Sequence, residues 1–175
     1  LVSNDVELTR HGQAVYAALL TPQGKYLFDF FIVAQGDRLL LDCDGKRTDD
    51  LVKRLNFYKL RAKIAIENLS EVFSVAALWG DEKPSALSTP ATEFIFADPR
   101  LKELGYRAIL PQNSASETLR SIAEPVTAAD YRRHRLSHGV GNAEDFEPDR
   151  SFPLELNFDA LNGIDFAKGC FIGQE

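Results

Sequence analysis

The chain has little cysteine, with two residues, Cys43 and Cys170, among 175. They lie far apart in the sequence, so the chain is not expected to be a small fold held together by disulfides. Cysteine use of this kind is typical of a reducing compartment and predicts a cytoplasmic location. Cys43 follows an apolar run and is predicted to be a core or near-core thiol.

Long apolar runs and an excess of positive charge are also missing. No run approaches the roughly 20 residues that span a bilayer, and the start shows no signal-peptide pattern, so no membrane partner is expected. Lys and Arg number 20 against 26 Asp and Glu, which gives a net charge of −6. This balance argues against a cationic nucleic-acid surface, and no direct nucleic-acid partner is expected. An apolar fraction of 45% is enough for a real core.

The hydrophobic pattern predicts an α+β fold in which helices flank antiparallel sheets. Mixed strands and helices without regular βαβ alternation favour this class over a doubly wound sheet. The predicted strands are 14–20, 25–34, 38–43, 63–67, 72–79, 93–97 and 105–110. The first three form a meander, with a turn at 21–24 that carries Pro second and Gly fourth. A polar loop is predicted at 80–90.

Three helices are predicted, at 48–60, 114–123 and 127–138. The first is predicted to begin with Thr48 as its N-cap. The third has the clearest end signals, because Thr127 and Asp130 match a capping box and Gly139 is a typical stop residue.

The last eight residues, 168–175, contain the strongest chemical signal. Cys170 lies between glycines and beside Lys168, where a neighbouring cation favours the reactive thiolate form. Gly169 and Gly173 allow the backbone to turn and to approach a ligand closely. Cys170 and Lys168 are therefore candidate catalytic residues. The alternative for Cys170 is a small core residue in a turn.

Two polar residues follow the cysteine in the same motif. Gln174 and Glu175 could orient the loop through hydrogen bonds or cap a following helix. The alternative for Glu175 is a solvated carboxylate, which is the usual environment of this side chain.

This segment closely resembles the signature of the YgfZ family, the folate-binding relatives of the glycine cleavage T-protein. That signature reads Lys-Gly-Cys-(Tyr/Phe)-x-Gly-Gln-Glu, and every specified position matches. Further resemblance lies in the segments 4–6, 21–25, 28–30, 135–139 and 154–157. The resemblance implies a T-protein-type folate-binding region over 1–175, as one unit or as two packed subdomains. The family's C-terminal β-barrel domain is absent from this chain, which is therefore expected to be part of a longer protein.

The resemblance also implies a function. Members of the YgfZ family bind tetrahydrofolate and support assembly or repair of iron–sulfur clusters in client enzymes, some of which modify tRNA. Cys170 would be the reactive residue, and the expected partners are folate and iron–sulfur client enzymes or cluster carriers. Because a cluster usually needs about four thiolates, this chain would act on one only together with a partner.

Two residues are implied as folate ligands. Asp5 matches an aspartate that lies beside the reactive end of folate in the T-protein, which makes it a catalytic candidate as well. Its alternative is a turn at an element boundary. Arg135 falls on the family's Arg-x-x-x-Gly step and could bind the carboxylate tail of folate bidentately. Its alternative is solvated charge near a helix C-terminus.

Other functions remain open. Asp5 fits a folate-dependent aminomethyltransferase or demethylating one-carbon transferase, although such enzymes lack the cysteine signature. A third possibility is a non-enzymatic scaffold whose cysteine binds a partner's cluster. His134 and His138 have the spacing of a metal-binding pair, but nothing nearby completes a closed site, so no metal is expected.

Overall fold

The fold contains two three-stranded antiparallel sheets and three helices, in a computed structural model that describes residues 1–80 and 94–174. The strands are β1 Val15–Leu20, β2 Tyr26–Gln35, β3 Arg38–Cys43, β4 Phe73–Leu78, β5 Ile95–Ala97 and β6 Tyr106–Pro111. The helices are α1 Thr48–Lys59, α2 Ala115–Ile122 and α3 Ala128–Ser137. This arrangement confirms the predicted α+β class with antiparallel sheets.

The first sheet is the predicted meander, in the order β1-β2-β3. Its first turn forms because the Gly24 amide donates to the Thr21 carbonyl at 3.0 Å. Gly24 has a φ of 80°, a conformation that glycine adopts without strain. Every side chain of β1 is buried, so both faces of this strand are covered.

Different parts of the chain cover the two faces of the first sheet. On one face, Phe30 and its neighbours pack against α1 through Leu51. On the other, Tyr16 packs against Phe158 and Leu161 from the C-terminal part of the chain. The first sheet is therefore the central layer, with residues far apart in sequence on its two sides.

The second sheet has the order β4-β6-β5. One face packs against α2, and Ile109 on the other face packs with Val33 and Leu40 of the first sheet. Arg107 Nε also donates to Asp42 Oδ2 at 2.7 Å across the two sheets. Whether the sheets form one unit or two subdomains stays a prediction.

The capping signals of α3 are confirmed. The Asp130 amide donates to Thr127 Oγ1 at 3.2 Å, and the Thr127 amide donates to Asp130 Oδ2 at 3.0 Å. Hydrogen bonds from Thr127 hold the pKa of Asp130 below its ordinary value. Gly139 follows the helix with a φ of 70°. None of the described helices has the length and apolar character needed to cross a bilayer.

Two predictions about the elements are wrong. The segment 63–67 is not a strand, and Ile64 within it is 54% exposed. Its alternating pattern suits a half-buried strand, but it pairs with no strand within 1–80 and 94–174. Thr48 is the first residue of α1 rather than its N-cap, which is Arg47. The loop predicted at 80–90 lies, from residue 81 onward, outside the described residues.

Candidate functional site

The candidate site is the cysteine loop, residues 168–174, which packs against the body of the protein and exposes its thiol. Cys170 is exposed, and the next residue, Phe171, packs against the core of the first sheet. Gly173 has a φ of 77° and lies so close to Thr21 and Gly24 that a Cβ would collide with them. The loop thus packs closely against the β1–β2 turn, three residues after its cysteine.

The two glycines of the motif differ in what they do. Gly173 makes its close approach to the protein's own turn, whereas the sequence analysis assigned such an approach to a ligand. Gly169 has open space around its Cα, and its φ is not positive. Gln174 Oε1 accepts a hydrogen bond from the Phe171 amide at 3.3 Å, and the role of Gln174 in orienting the loop stays a prediction. Glu175 lies outside the described residues.

Lys168 joins the start of the loop to the N-terminal backbone. Its Nζ donates to the carbonyl oxygens of Val2 at 2.7 Å and Asn4 at 2.9 Å. The ammonium also lies 5.5 Å from the centroid of the Phe171 ring. The predicted role of Lys168 in favouring the thiolate stays a prediction.

Lys168 binds to a short N-terminal strap, residues 2–5, that runs along the outer edge of β1. The Ser3 amide donates to the Ala18 carbonyl at 2.9 Å, and the Ala18 amide donates to Ser3 Oγ at 2.8 Å. Asn4 Nδ2 donates to the Tyr16 carbonyl at 2.8 Å. These bonds cover part of the edge of the first sheet.

The other side of the strap meets the segment that leads into the cysteine loop. Asn4 Nδ2 also donates to the Asn162 carbonyl at 2.7 Å, and Ser3 Oγ donates to the Gly163 carbonyl. The Asp165 amide donates to the Ser3 carbonyl at 3.0 Å. The strap is therefore hydrogen-bonded on both sides, to β1 and to the approach of the cysteine loop.

Asp5 follows the strap's Asn4 and lies near Lys168. Its Oδ1 accepts from the Glu7 amide at 3.0 Å, which caps the 3-10 helix Val6–His11. This is the turn at an element boundary that the sequence allowed as an alternative. The structure brings Asp5, Lys168 and the cysteine loop into one region, because Lys168 binds the carbonyl of the residue before Asp5. Folate binding by Asp5 stays a prediction.

Arg135 lies in a different network. Its side chain is 1% exposed and donates to Asp145 at 2.8 Å, to Glu144 at 3.0 Å and to the Val140 carbonyl at 2.6 Å. The alternative of solvated charge is therefore wrong, since the guanidinium links α3 to the loop that follows it. Arg135 shares no hydrogen-bond partner with Lys168 among the described residues. Capture of a carboxylate by Arg135 stays a prediction and would require exchange with these acids.

A buried carboxylate in β2 was missed as a candidate. Asp29 accepts hydrogen bonds from the hydroxyls of Tyr16 at 2.9 Å and Tyr26 at 2.6 Å. The pairing shifts register so that Leu20 faces Tyr26, which leaves Leu27 as a bulge and puts Tyr26 on the Asp29 face. Burial raises the pKa of Asp29, and the two hydroxyls partly offset this. The signal in the sequence that could have indicated Asp29 is its place between two phenylalanines in an apolar strand.

A buried arginine lies near this carboxylate. Arg100 binds Asp98 through Nε and Nη2, at 3.0 and 2.8 Å, and both side chains are fully buried. Its guanidinium lies 4.7 Å from the Phe31 ring centroid and 5.4 Å from that of Tyr16. Its Nη1 has no acceptor among the described residues. The sequence indicated only a turn at 98–100.

The second cysteine is a poor candidate for reactivity. Cys43 ends β3, is half-buried and packs with the core, as predicted. Burial raises the pKa of its thiol, which lowers the thiolate fraction at neutral pH. Together with Tyr26, Asp29 and Arg47, it lines a cavity of about 10 Å³, room for about one water.

His134 of α3 stacks on Trp79, and His138, which follows the helix, meets His134 edge to face. His134 lies 5.3 Å from Trp79 and 4.9 Å from His138, between ring centroids, and its Nε2 is 2.9 Å from the Glu103 carbonyl oxygen. Within 1–80 and 94–174, no three His, Cys, Asp or Glu side chains are arranged to hold a metal ion.

The contrast between the motif's glycines yields a test of loop docking. We expect Gly173→Ala to lower the free energy of unfolding by about 1–3 kcal/mol, since it adds a positive-φ strain and a clash with the β1–β2 turn. Gly169→Ala is the matched control and should change it by less than about 0.5 kcal/mol. Urea unfolding measures both, and equal effects would contradict the docked geometry.

Comparison with known proteins identifies relatives of one kind. The chain is 39% identical over 191 residues to a protein of Mycosarcoma maydis named iron-sulfur cluster assembly factor IBA57 homolog, mitochondrial, and covers 46% of it. It is 31% identical over 176 residues to the human iron-sulfur cluster assembly factor IBA57, mitochondrial, with 93% of this chain and 48% of that protein aligned. The mouse protein of that name is 29% identical over 175 residues, with the same coverage. No family model matches the chain.

These relatives correct the predicted location and show how much of a longer protein the chain matches. Their names place them in mitochondria, so the cytoplasmic location predicted from cysteine content is wrong. Few cysteines exclude a disulfide framework but do not distinguish one reducing compartment from another. The chain spans about half the length of the curated relatives it matches. Within that span, it is a homologue of the iron-sulfur cluster assembly factors named IBA57.

Proposed function

We propose that this protein supports iron–sulfur cluster assembly or repair in client enzymes through the thiol of Cys170. The observation that carries the proposal is the exposed thiol on a loop whose flanks are held by Lys168 and Gly173. The names of the relatives support the same process. The resemblance to the YgfZ family adds to the proposal that the clients include tRNA-modifying enzymes.

The chemistry of the proposal is ligand exchange at iron. A cluster usually needs about four thiolate ligands, and Cys170 can supply one, so the remaining ligands come from a client or carrier. The thiol loses its proton to solvent, and its sulfur binds iron while the bond from iron to one ligand of the client or carrier breaks, so that this ligand stays on the client or carrier and no oxidation state changes. Cys43 does not take part, because it is half-buried and its pKa is raised.

Tetrahydrofolate binding is a second part of the proposal. Asp5 is half-buried and uses Oδ1 to cap its helix, and Oδ2 accepts nothing from the described residues, so it is available to pterin N–H donors. Arg135 would take the carboxylate tail in exchange for Glu144. The cavity beside Asp29 is far too small for folate, so the ligand would lie outside it.

Replacing the exposed cysteine tests the main proposal. In cells that lack their own homologue, we expect Cys170→Ala to leave the activity of an iron–sulfur client enzyme at the level without any added protein, because the exposed thiol is lost. Cys43→Ala is the matched control and should restore client activity like the unaltered protein. Client activity is measured at equal protein levels. Equal rescue by both variants would contradict a functional Cys170.

The folate part is tested separately by titration with tetrahydrofolate. We expect saturable binding that Asp5→Asn weakens about tenfold, since it removes a charged acceptor while keeping the side-chain shape. Asp159→Asn, at an exposed acid, is the control and should bind like the unaltered protein. Absence of saturable binding would reject the folate part and leave the cysteine proposal in place.

A further inference from the structure

The ammonium of Lys168 is committed to hydrogen bonds on the inner side of the cysteine loop. Two of its N–H groups point to the carbonyl oxygens of Val2 and Asn4, at 2.7 and 2.9 Å. Hydrogen bonds with one charged partner are stronger than neutral ones. The ring of Phe171, 5.5 Å away, covers part of the same ammonium.

The thiol of Cys170 is directed differently. Cys170 is exposed, whereas Lys168 is partly buried and Phe171 packs inward. No hydrogen bond joins Lys168 Nζ to Cys170 Sγ among the described residues. In water, the attraction between two unit charges even 4 Å apart is only about 1 kcal/mol. A cation whose hydrogen bonds go to other groups therefore stabilises an exposed thiolate only weakly.

The loop is therefore held on both sides of its cysteine. Lys168 holds the near side on the N-terminal strap, and Gly173 packs closely against the β1–β2 turn on the far side. The strap itself is fixed to β1 by Ser3 and Asn4. A break at Lys168 would release the near side while the Gly173 contact remains.

We propose that Lys168 is a positioning residue, whose ammonium latches the cysteine loop to the Val2 and Asn4 carbonyls and so fixes Cys170 for its partner. This inference rests on the proposed function of Cys170, and it replaces the role of Lys168 as a cation that stabilises the thiolate. It also couples two parts of the site, since the latch binds the carbonyl of the residue that precedes Asp5.

Three readouts on the intact protein test the latch. Hydrogen exchange over 163–174 reports the ordering of the loop, and the pH dependence of Cys170 alkylation by iodoacetamide reports thiolate stabilisation. Client-enzyme activity in cells reports function. The variants are Lys168→Met, which removes charge and donors, and Lys168→Gln, which keeps N–H donors on a shorter, uncharged side chain. Lys102→Met, at an exposed lysine, is the control.

For the latch, amide exchange over 163–174 should be about tenfold or more faster in Lys168→Met, because both charge-assisted hydrogen bonds of the ammonium are lost. The pH midpoint of Cys170 alkylation should stay unchanged, and client activity should fall. Lys168→Gln should be intermediate in exchange, and Lys102→Met should match the unaltered protein in every readout.

Two outcomes would overturn the latch. A midpoint that moves to higher pH with unchanged hydrogen exchange would make Lys168 a thiolate-stabilising cation. Unchanged exchange and unchanged midpoint together would leave Lys168 no role at the loop. Both readouts are independent of any client, so failure of the latch is distinguishable from failure of the proposed function, which Cys170→Ala decides.

Discussion

The hydrogen bonds of the N-terminal strap are the constraint on which the arrangement of the candidate site depends. A side-chain amide, that of Asn4, donates to Tyr16 in β1 and to Asn162 in the approach to the cysteine loop. This amide thereby joins the edge of β1 to a segment that follows it by about 150 positions in the sequence. Because Asn4 and Tyr16 are buried, the Tyr16 carbonyl would otherwise be left unpaired in the interior.

The cysteine loop derives its geometry from this junction. Ser3 and Asn4 fix the strap, the strap offers carbonyl oxygens to Lys168, and the loop then runs outward to Cys170 before Gly173 brings it back. A thiol held this way can stay in solvent without being free to move over the surface. That combination suits a residue that must present one sulfur to a large partner.

Much of the fold could be predicted because local signals agreed with it. The Thr21–Gly24 turn, the capping box at Thr127 and the stop at Gly139 each act within a few residues and appear where predicted. The segment 63–67 had a strand pattern but pairs with no strand among the described residues, and pairing is a long-range property. Burial of Arg135 depends on how the acidic loop after α3 folds back onto the helix, which the helical pattern does not reveal.

The candidate site was predicted in its residues but not in its contacts. The cysteine motif indicated Lys168, Cys170 and Gly173, yet only the structure shows that Lys168 binds the protein's own backbone and that Gly173 packs closely against it. Asp29 was missed because a bulge at Leu27 brings Tyr26 onto its face, and the sequence gives no sign of that register shift. The predicted cytoplasmic location was wrong because cysteine content indicates redox conditions and does not identify an organelle.

Hydrogen exchange in Asn4→Ala is the most direct measurement of the central claim, that the strap positions the cysteine loop. Asn56→Ala, which also removes an amide bound to a backbone carbonyl but on the exposed face of α1, is its control. The account predicts faster exchange over 162–174 in Asn4→Ala, with α2 and β6 unchanged, and no such change in the control. Exchange over 162–174 that is unaltered, or that rises equally throughout the chain, would contradict it.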